Sequence, residues 1–240
     1  QGCDDATVKA PLILLVSYEM IDVLRKNHEY VNINMFSTKQ GNLLQTADNW
    51  SIDKQPIGTF TAGMYRGEHK SNAGYIKDFD YVNDSTLNSY NAILAFNAKA
   101  DSLPKVPIIK RKCQDWSSLM TGYNTMTQSI RMVDCNQKNR WAKQDRKWSM
   151  VVTAMDKSGN LLFIFTRSPY TVHDFINMLL NSELNIYNMM YLEGGPEASF
   201  YLNHPKMKVA KMGSYETNFW EDDTNDEFWQ IPNVIGIERK

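Results

Sequence analysis

Long apolar runs are missing. The longest near the start, Pro11 to Val16, is far shorter than the roughly 20 residues of a helical membrane span, so this stretch encodes none. A surplus of one charge is missing too. Twenty-six Lys and Arg stand against 27 Asp and Glu, a formal net charge of -1. Interspersed and nearly balanced charge excludes a general nucleic-acid binder, which presents a basic face. Histidine is scarce, with four scattered copies, and no two cysteines are close in sequence, which argues against a structural zinc site. Internal repeats, coiled-coil heptads and low-complexity tracts are absent.

What is present is 240 residues, 42% hydrophobic and 22% charged, enough for one large domain with a sizeable core or for two small ones. Three cysteines occur, Cys3, Cys113 and Cys135. Cys3 lies in Q-G-C-D-D, and a small residue before such a Cys is what remains of a bacterial lipoprotein signal. On that reading residues 1–10 are an N-terminal tether or disordered segment, and membrane contact is made only through a lipid on Cys3. An arbitrary boundary is the alternative. In an exported protein Cys113 and Cys135 could pair, stabilising the fold by roughly 3 kcal/mol through loop closure. Two buried free thiols fit the sequence equally well.

Apolar and β-branched content predicts strands at Leu12 to Val16, Val31 to Phe36 and Ala92 to Phe96. Trp148 to Met155 and Leu161 to Thr166 flank the turn D-K-S-G-N and read as a hairpin, with Arg167 at its end. A helix follows, started by Thr171 and Asp174, with Val172, Phe175, Ile176, Leu179 and Leu180 on one face. Ile186 to Leu192 is the next strand, and this strand-helix-strand order predicts parallel pairing through a right-handed crossover. The fold class expected is α+β: a large mixed β-sheet with a few flanking helices, in a single domain.

The segment N-M-M-Y-L-E-G-G-P-E-A-S-F-Y-L-N, Asn188 to Asn203, ends an apolar strand on Glu193 and then removes two side chains. Ligands gather beyond the carboxyl ends of strands. Glycine lets backbone approach closely, and a carboxylate partly out of water there can be tuned for acid, base or nucleophilic work. An ordinary Gly-Gly-Pro turn with an exposed Glu is the plain alternative.

From Val31 to Asn203 the chain resembles the phosphodiester glycosidase family. V-N-I-N-M-F resembles that family's N-G-x-F-F strand end, Q-P-I-G (Gln55 to Gly58) its P-x-G, and T-Q-S-I-R (Thr127 to Arg131) its Q-S-G-P-x-L. The hairpin resembles R-T-A-I-G-x-D-x-x-G-x-L-L, and Y-L-E-G-G-P-E-A-S resembles L-D-G-G-x-S-T. Three residues depart from the pattern: Glu193 replaces Asp, Trp148 falls near a usual Arg, and Glu197 falls at a usual Ser. Arg146, Arg131 or Arg167 could supply the displaced cation.

The resemblance implies that residues 11–240 form a phosphodiester glycosidase-like domain that hydrolyses a glycosyl phosphodiester, sugar-1-phosphate-R, in a bacterial cell envelope. A non-catalytic carbohydrate-binding or envelope structural protein on the same scaffold is the alternative. The partner expected is a glycan or glycosyl-phosphate substrate, with no nucleic acid. Such a site needs a cation or N–H cradle for phosphate and a carboxylate for oxocarbenium-like charge or water. Glu193 is then the central carboxylate, with His173 and Asp174 as a second acid/base pair. Arg167 and Arg131 are phosphate candidates, because a guanidinium fork binds two oxygens at once. Asn32, Asn34, Gly194, Gly195 and Glu197 complete the expected substrate contacts. No cofactor is required; calcium is the one ion with a conceivable seat, among Asp222, Asp223, Asp226 and Glu227, an acidic run that otherwise reads as a solvated loop. Trp220 and Trp229 beside it could stack on a sugar or anchor the tail.

Overall fold

A computed structural model of the chain describes residues 13–18, 21–26, 31–38, 44–67, 71–205 and 207–240. Cys3, the proposed tether and Leu12 lie outside them. Strands β1 (Ile13–Tyr18), β2 (Ile21–Lys26) and β3 (Val31–Ser37) come first, then helix α1 (Ala47–Lys54) and β4 (Gly58–Thr61). The middle holds β5 (Ile76–Asp78), β6 (Tyr81–Asp84), β7 (Ala92–Ala98), β8 (Ile108–Lys110), α2 (Trp116–Thr121) and β9 (Tyr123–Ser129). The last part holds β10 (Trp148–Asp156), β11 (Leu161–Tyr170), α3 (Val172–Leu180), β12 (Ile186–Gly194), β13 (Ser199–His204), β14 (Met207–Met212) and β15 (Asn233–Arg239).

The fold is α+β, and its strands divide among three five-stranded sheets, ordered β1-β2-β11-β10-β12, β14-β13-β4-β15-β3 and β6-β5-β9-β7-β8. Every pairing between these strands is antiparallel. The expected parallel pairing across α3 is not formed. β11 and β12 do run the same way, but β10 lies between them and bonds to both. The α3 connection therefore crosses over β10, and β11 and β12 each bond to that central strand instead of to each other.

Alternation along β10 and β11 explains why both faces of their central stretches are largely apolar. Val151, Phe163 and Phe165 face the central core, where side chains of all three sheets meet. Met150, Val152, Leu162 and Ile164 face the other way, onto Val172, Phe175, Ile176 and Leu179 of α3. Both faces are dry, so neither carries the polar stripe of a half-solvated strand. Phe60 anchors the centre, stacked on Phe163 with ring centroids 4.2 Å apart and edge-on to Phe200 at 4.8 Å. Thr171 caps α3 as expected, its side chain accepting from the Asp174 N–H.

The D-K-S-G-N turn is held by one acid. The Asp156 carboxylate accepts from the N–H groups of Ser158 and Asn160, each at 2.9 Å, and from the Asn160 side chain at 2.8 Å. It also pairs with Arg25 of β2 at 3.4 Å, tying the hairpin to its neighbour strand. Cys113 and Cys135 are joined in a disulfide.

Candidate active site

β12 delivers the site. Opposite β10, Val151 pairs with Glu193 and Val152 with Tyr191, so Leu192 is an extra residue in the ladder. Such a bulge re-aims the side chains beside it. The chain then turns through Gly194 and a single 3-10 turn, Gly195–Glu197, before entering β13 in the second sheet. The turn is locked from below: the Glu197 carbonyl accepts from the hydroxyls of Thr61 (3.1 Å), Ser199 (3.3 Å) and Tyr65 (3.4 Å).

The two glycines make room for the site's own side chains. A Cβ at Gly194 would lie 2.1 Å from the Tyr191 hydroxyl and 2.5 Å from the Trp148 ring. At Gly195, whose φ is +62°, it would lie 2.4 Å from a carboxylate oxygen of Glu216 and 3.3 Å from one of Glu197. Gly195 therefore answers both a left-handed backbone and a crowded site. Because its flanks are bare, three carboxyl groups close on one turn: Glu193, Glu197 and Glu216.

Their electrostatics follow from that crowding. Glu193 keeps some accessible surface, yet protein surrounds its carboxyl. Burial, with the Glu197 and Glu216 charges added, pushes it well above the usual carboxylate range. The N–H groups of Gly194, at 3.0 Å, and Tyr65 pull the other way without prevailing. Glu197 is raised from 4.5 to about 7, by burial first and by Glu216. Glu216 is raised by burial and held back by Arg146. The Tyr65 and Tyr191 hydroxyls are pushed well up by burial and by Glu193, so both stay neutral donors.

A cationic hollow of about 490 Å³ lies alongside, lined by Tyr90, Ile130, Arg131, Arg140 and Trp141 among others. Three links tie it to β12, the strand that carries Glu193. Tyr90 feels the Glu193 charge, the Trp141 and Tyr191 ring centroids are 5.8 Å apart, and Arg131 is bridged to Met190 of β12. Arg131 is 6% exposed, and its Nε is buried with no hydrogen-bond partner in the protein.

Other expected site residues have partners of their own. Arg167 spends its guanidinium on the carbonyls of Met212, Asp223 and Asn225 and on the Asp223 carboxylate at 2.8 Å. It clamps the tail loop. Asp174 bonds to Thr171 and, at 3.4 Å, to His173; the pair serves the start of α3 and lines a separate hollow with Lys143, Gln144, Asp145 and Lys147. Asn34 donates to Glu238 of β15. The register places Phe36 and Thr61 on either side of Val234, at the Glu197 end of that sheet. Asn34 and Asn32 are two and four residues down the strand from Phe36, and Asn32 lines a different hollow with Lys105 and Lys240. Asp222 accepts from Trp220 and Thr224, and Asp223 pairs with Arg167. Among the described residues no group of three His, Cys, Asp or Glu side chains is arranged to hold a metal ion.

Sequence reading missed Glu216, Tyr65, Tyr90, Tyr191, Arg140 and Trp141. Only Glu216 left a trace, in the K-M-G-S-Y-E stretch, where Gly213 packs against the Gly195 carbonyl.

Comparison with known proteins bears on this geometry. The chain superposes on the catalytic domain of zebrafish N-acetylglucosamine-1-phosphodiester alpha-N-acetylglucosaminidase, auto-inhibited by its pro-peptide, with a TM-score of 0.64 and 12% identity over 97% of this chain and 85% of that one. A hypothetical protein from Synechocystis gives 0.59 and 9% identity, over 95% of this chain and 61% of that one. At these identities the likeness is one of fold. No curated protein matches the sequence. A model of the phosphodiester glycosidase family matches residues 54–238, which contain the whole carboxylate cluster and its hollow, and the chain belongs to that family.

Proposed function

We propose that the protein hydrolyses the C1–O bond of a glycosyl phosphodiester, releasing a free sugar and a phosphate monoester. The observation that carries this reading is the meeting of three glutamates, two with strongly raised pKa values, with a guanidinium-lined hollow. Glu193, the most protected carboxyl, holds its proton more tightly than a free carboxyl does and can donate it to the departing phosphate oxygen. Glu197, poised near neutrality, is ionised above about 7 and can take a proton from water or face oxocarbenium-like charge. Arg131 and Arg140 seat the phosphate, and a phosphate monoester already leaves well, so modest acid assistance suffices. A protonated Glu193 also spares the anionic substrate one repulsive charge.

Two finer readings join this one. A disulfide persists only in oxidising surroundings, which supports an exported protein, and a lipid on Cys3 would hold it at a bacterial envelope. Capsule, teichoic or other glycan-phosphate material supplies the matching substrate class there.

The test is turnover of a panel of sugar-1-phosphodiesters by wild type, Glu193→Gln and Glu197→Gln. Each variant should lose about a hundredfold or more in kcat, the scale of an acid/base group. Wild type as inactive as the variants across a broad panel, while still binding glycans, would favour the non-catalytic carbohydrate-binding alternative.

A further inference from the structure

We infer that the Cys113–Cys135 disulfide is a positioning device for Arg131, so that opening it weakens anion binding at the hollow while the fold persists. The inference rests on the reading of that hollow as a phosphate seat.

Arg131 is gripped at two levels. Its backbone is bridged to Met190 of β12, which fixes where the side chain begins. Its tip is set by sulfur: Nη1 lies 2.8 Å from Cys113 Sγ and 3.6 Å from Cys135 Sγ. Sulfur is a weak acceptor, so these contacts satisfy little of the guanidinium's demand. They act mainly by shape, since the bonded sulfurs occupy one side of Nη1 and restrict how the planar fork can turn. Nε is buried and has no hydrogen-bond partner in the protein, so part of the fork's donor capacity is unspent. A fork held in one orientation loses little freedom when a phosphate arrives, and that is how preorganisation raises affinity.

Arg140 differs. It is exposed and reaches the hollow from the segment after Cys135, so it supplies charge without comparable constraint. Arg131 sets geometry and Arg140 adds field.

The bond is open to chemistry. Cys135 is exposed and Cys113 half-buried, so a small dithiol can reach the sulfurs. Reduction breaks the S–S bond, adds two electrons and two protons to give two thiols, and converts the dithiol to its cyclic disulfide. The two sulfurs then separate, and the Arg131 tip regains rotamers that miss the seat.

The experiment measures inorganic phosphate binding by calorimetry to oxidised wild type, dithiol-reduced wild type, Cys113→Ser/Cys135→Ser, Arg131→Gln and the triple variant. All are held well below their melting temperatures, with the fold checked by circular dichroism. Arg131→Gln should weaken binding about ten- to a hundredfold, as expected for a charged hydrogen bond. The reduced protein and the double serine variant should weaken it about five- to tenfold. The triple variant should be no weaker than Arg131→Gln alone, because the disulfide acts through that side chain. Should the serine variant fail to fold, the reduced wild type carries the comparison. Unchanged affinity after reduction, or losses that add in the triple variant, would overturn the inference and leave the phosphate seat standing. If oxidised wild type binds phosphate no better than Arg131→Gln, the seat itself fails, and the inference with it.

Discussion

Glu193 and Glu197 sit four residues apart, yet their surroundings set them apart in proton affinity. Each is desolvated, but Glu193 also faces the charges of two neighbours, which raise its proton affinity further. The proposed chemistry then has a pH signature. kcat/KM should climb through about pH 7 as Glu197 ionises, and a profile measured from pH 5 to 9 checks it. Stability should move the other way. A carboxyl whose folded pKa is raised from 4.5 to about 7 binds its proton more tightly when folded, so its contribution is present below 4.5 and is lost as pH rises to about 7. Denaturant titrations should show wild type losing about 2 kcal/mol relative to Glu197→Gln across that window, after allowance for solvent screening. Equal slopes in the two proteins would contradict the burial of Glu197.

The β12–turn–β13 unit is the element that makes the site. Its bulge at Leu192 and its paired glycines let a strand of the first sheet enter the second while three acids crowd the corner. Gly195→Ala should cost about 1–2 kcal/mol, from the left-handed φ alone. It should also push Glu216 aside, since the far end of that side chain is what the new methyl meets. Chemical denaturation gives the first effect, and an altered acidic limb of the pH profile gives the second. Gly194→Ala meets the Tyr191 hydroxyl and a Trp148 ring instead, neither of which can swing away freely, and should fold less well than Gly195→Ala. Deeper in, Phe163→Ala removes a fully buried ring stacked on Phe60 and should cost about 3–5 kcal/mol, read from the shift in urea midpoint.

For the whole molecule, three sheets share one core, and the disulfide fastens the segment after β8 to the segment after Arg131. Removing it should lower stability by about 3 kcal/mol, from a loop spanning 22 positions. A reduced protein that melts with the oxidised one would show the cross-link to be idle.

Much of this was readable from local pattern. The hairpin over Trp148 to Thr166, its D-K-S-G-N turn and the Thr171 cap depend on residues a few places apart, and each formed where expected. The run Glu193, Gly194, Gly195, Glu197 announced a corner with acids on it for the same reason. For Arg167, nothing local reveals that its donors meet carbonyls 45 to 58 residues away. The same holds for Asn34, whose partner Glu238 is 204 residues distant.

Short-range sequence thus determined the strands, the turns, the helix cap and one acid at a sheet's rim, because backbone preference and side-chain periodicity act over a few residues. Tertiary structure alone decided which charges meet: that Glu216 joins Glu193 and Glu197, that Arg131 and Arg140 share a hollow, and that Arg167 is spent on a loop. Charge and desolvation act through space, and the distances that govern them exist only once three sheets have packed together.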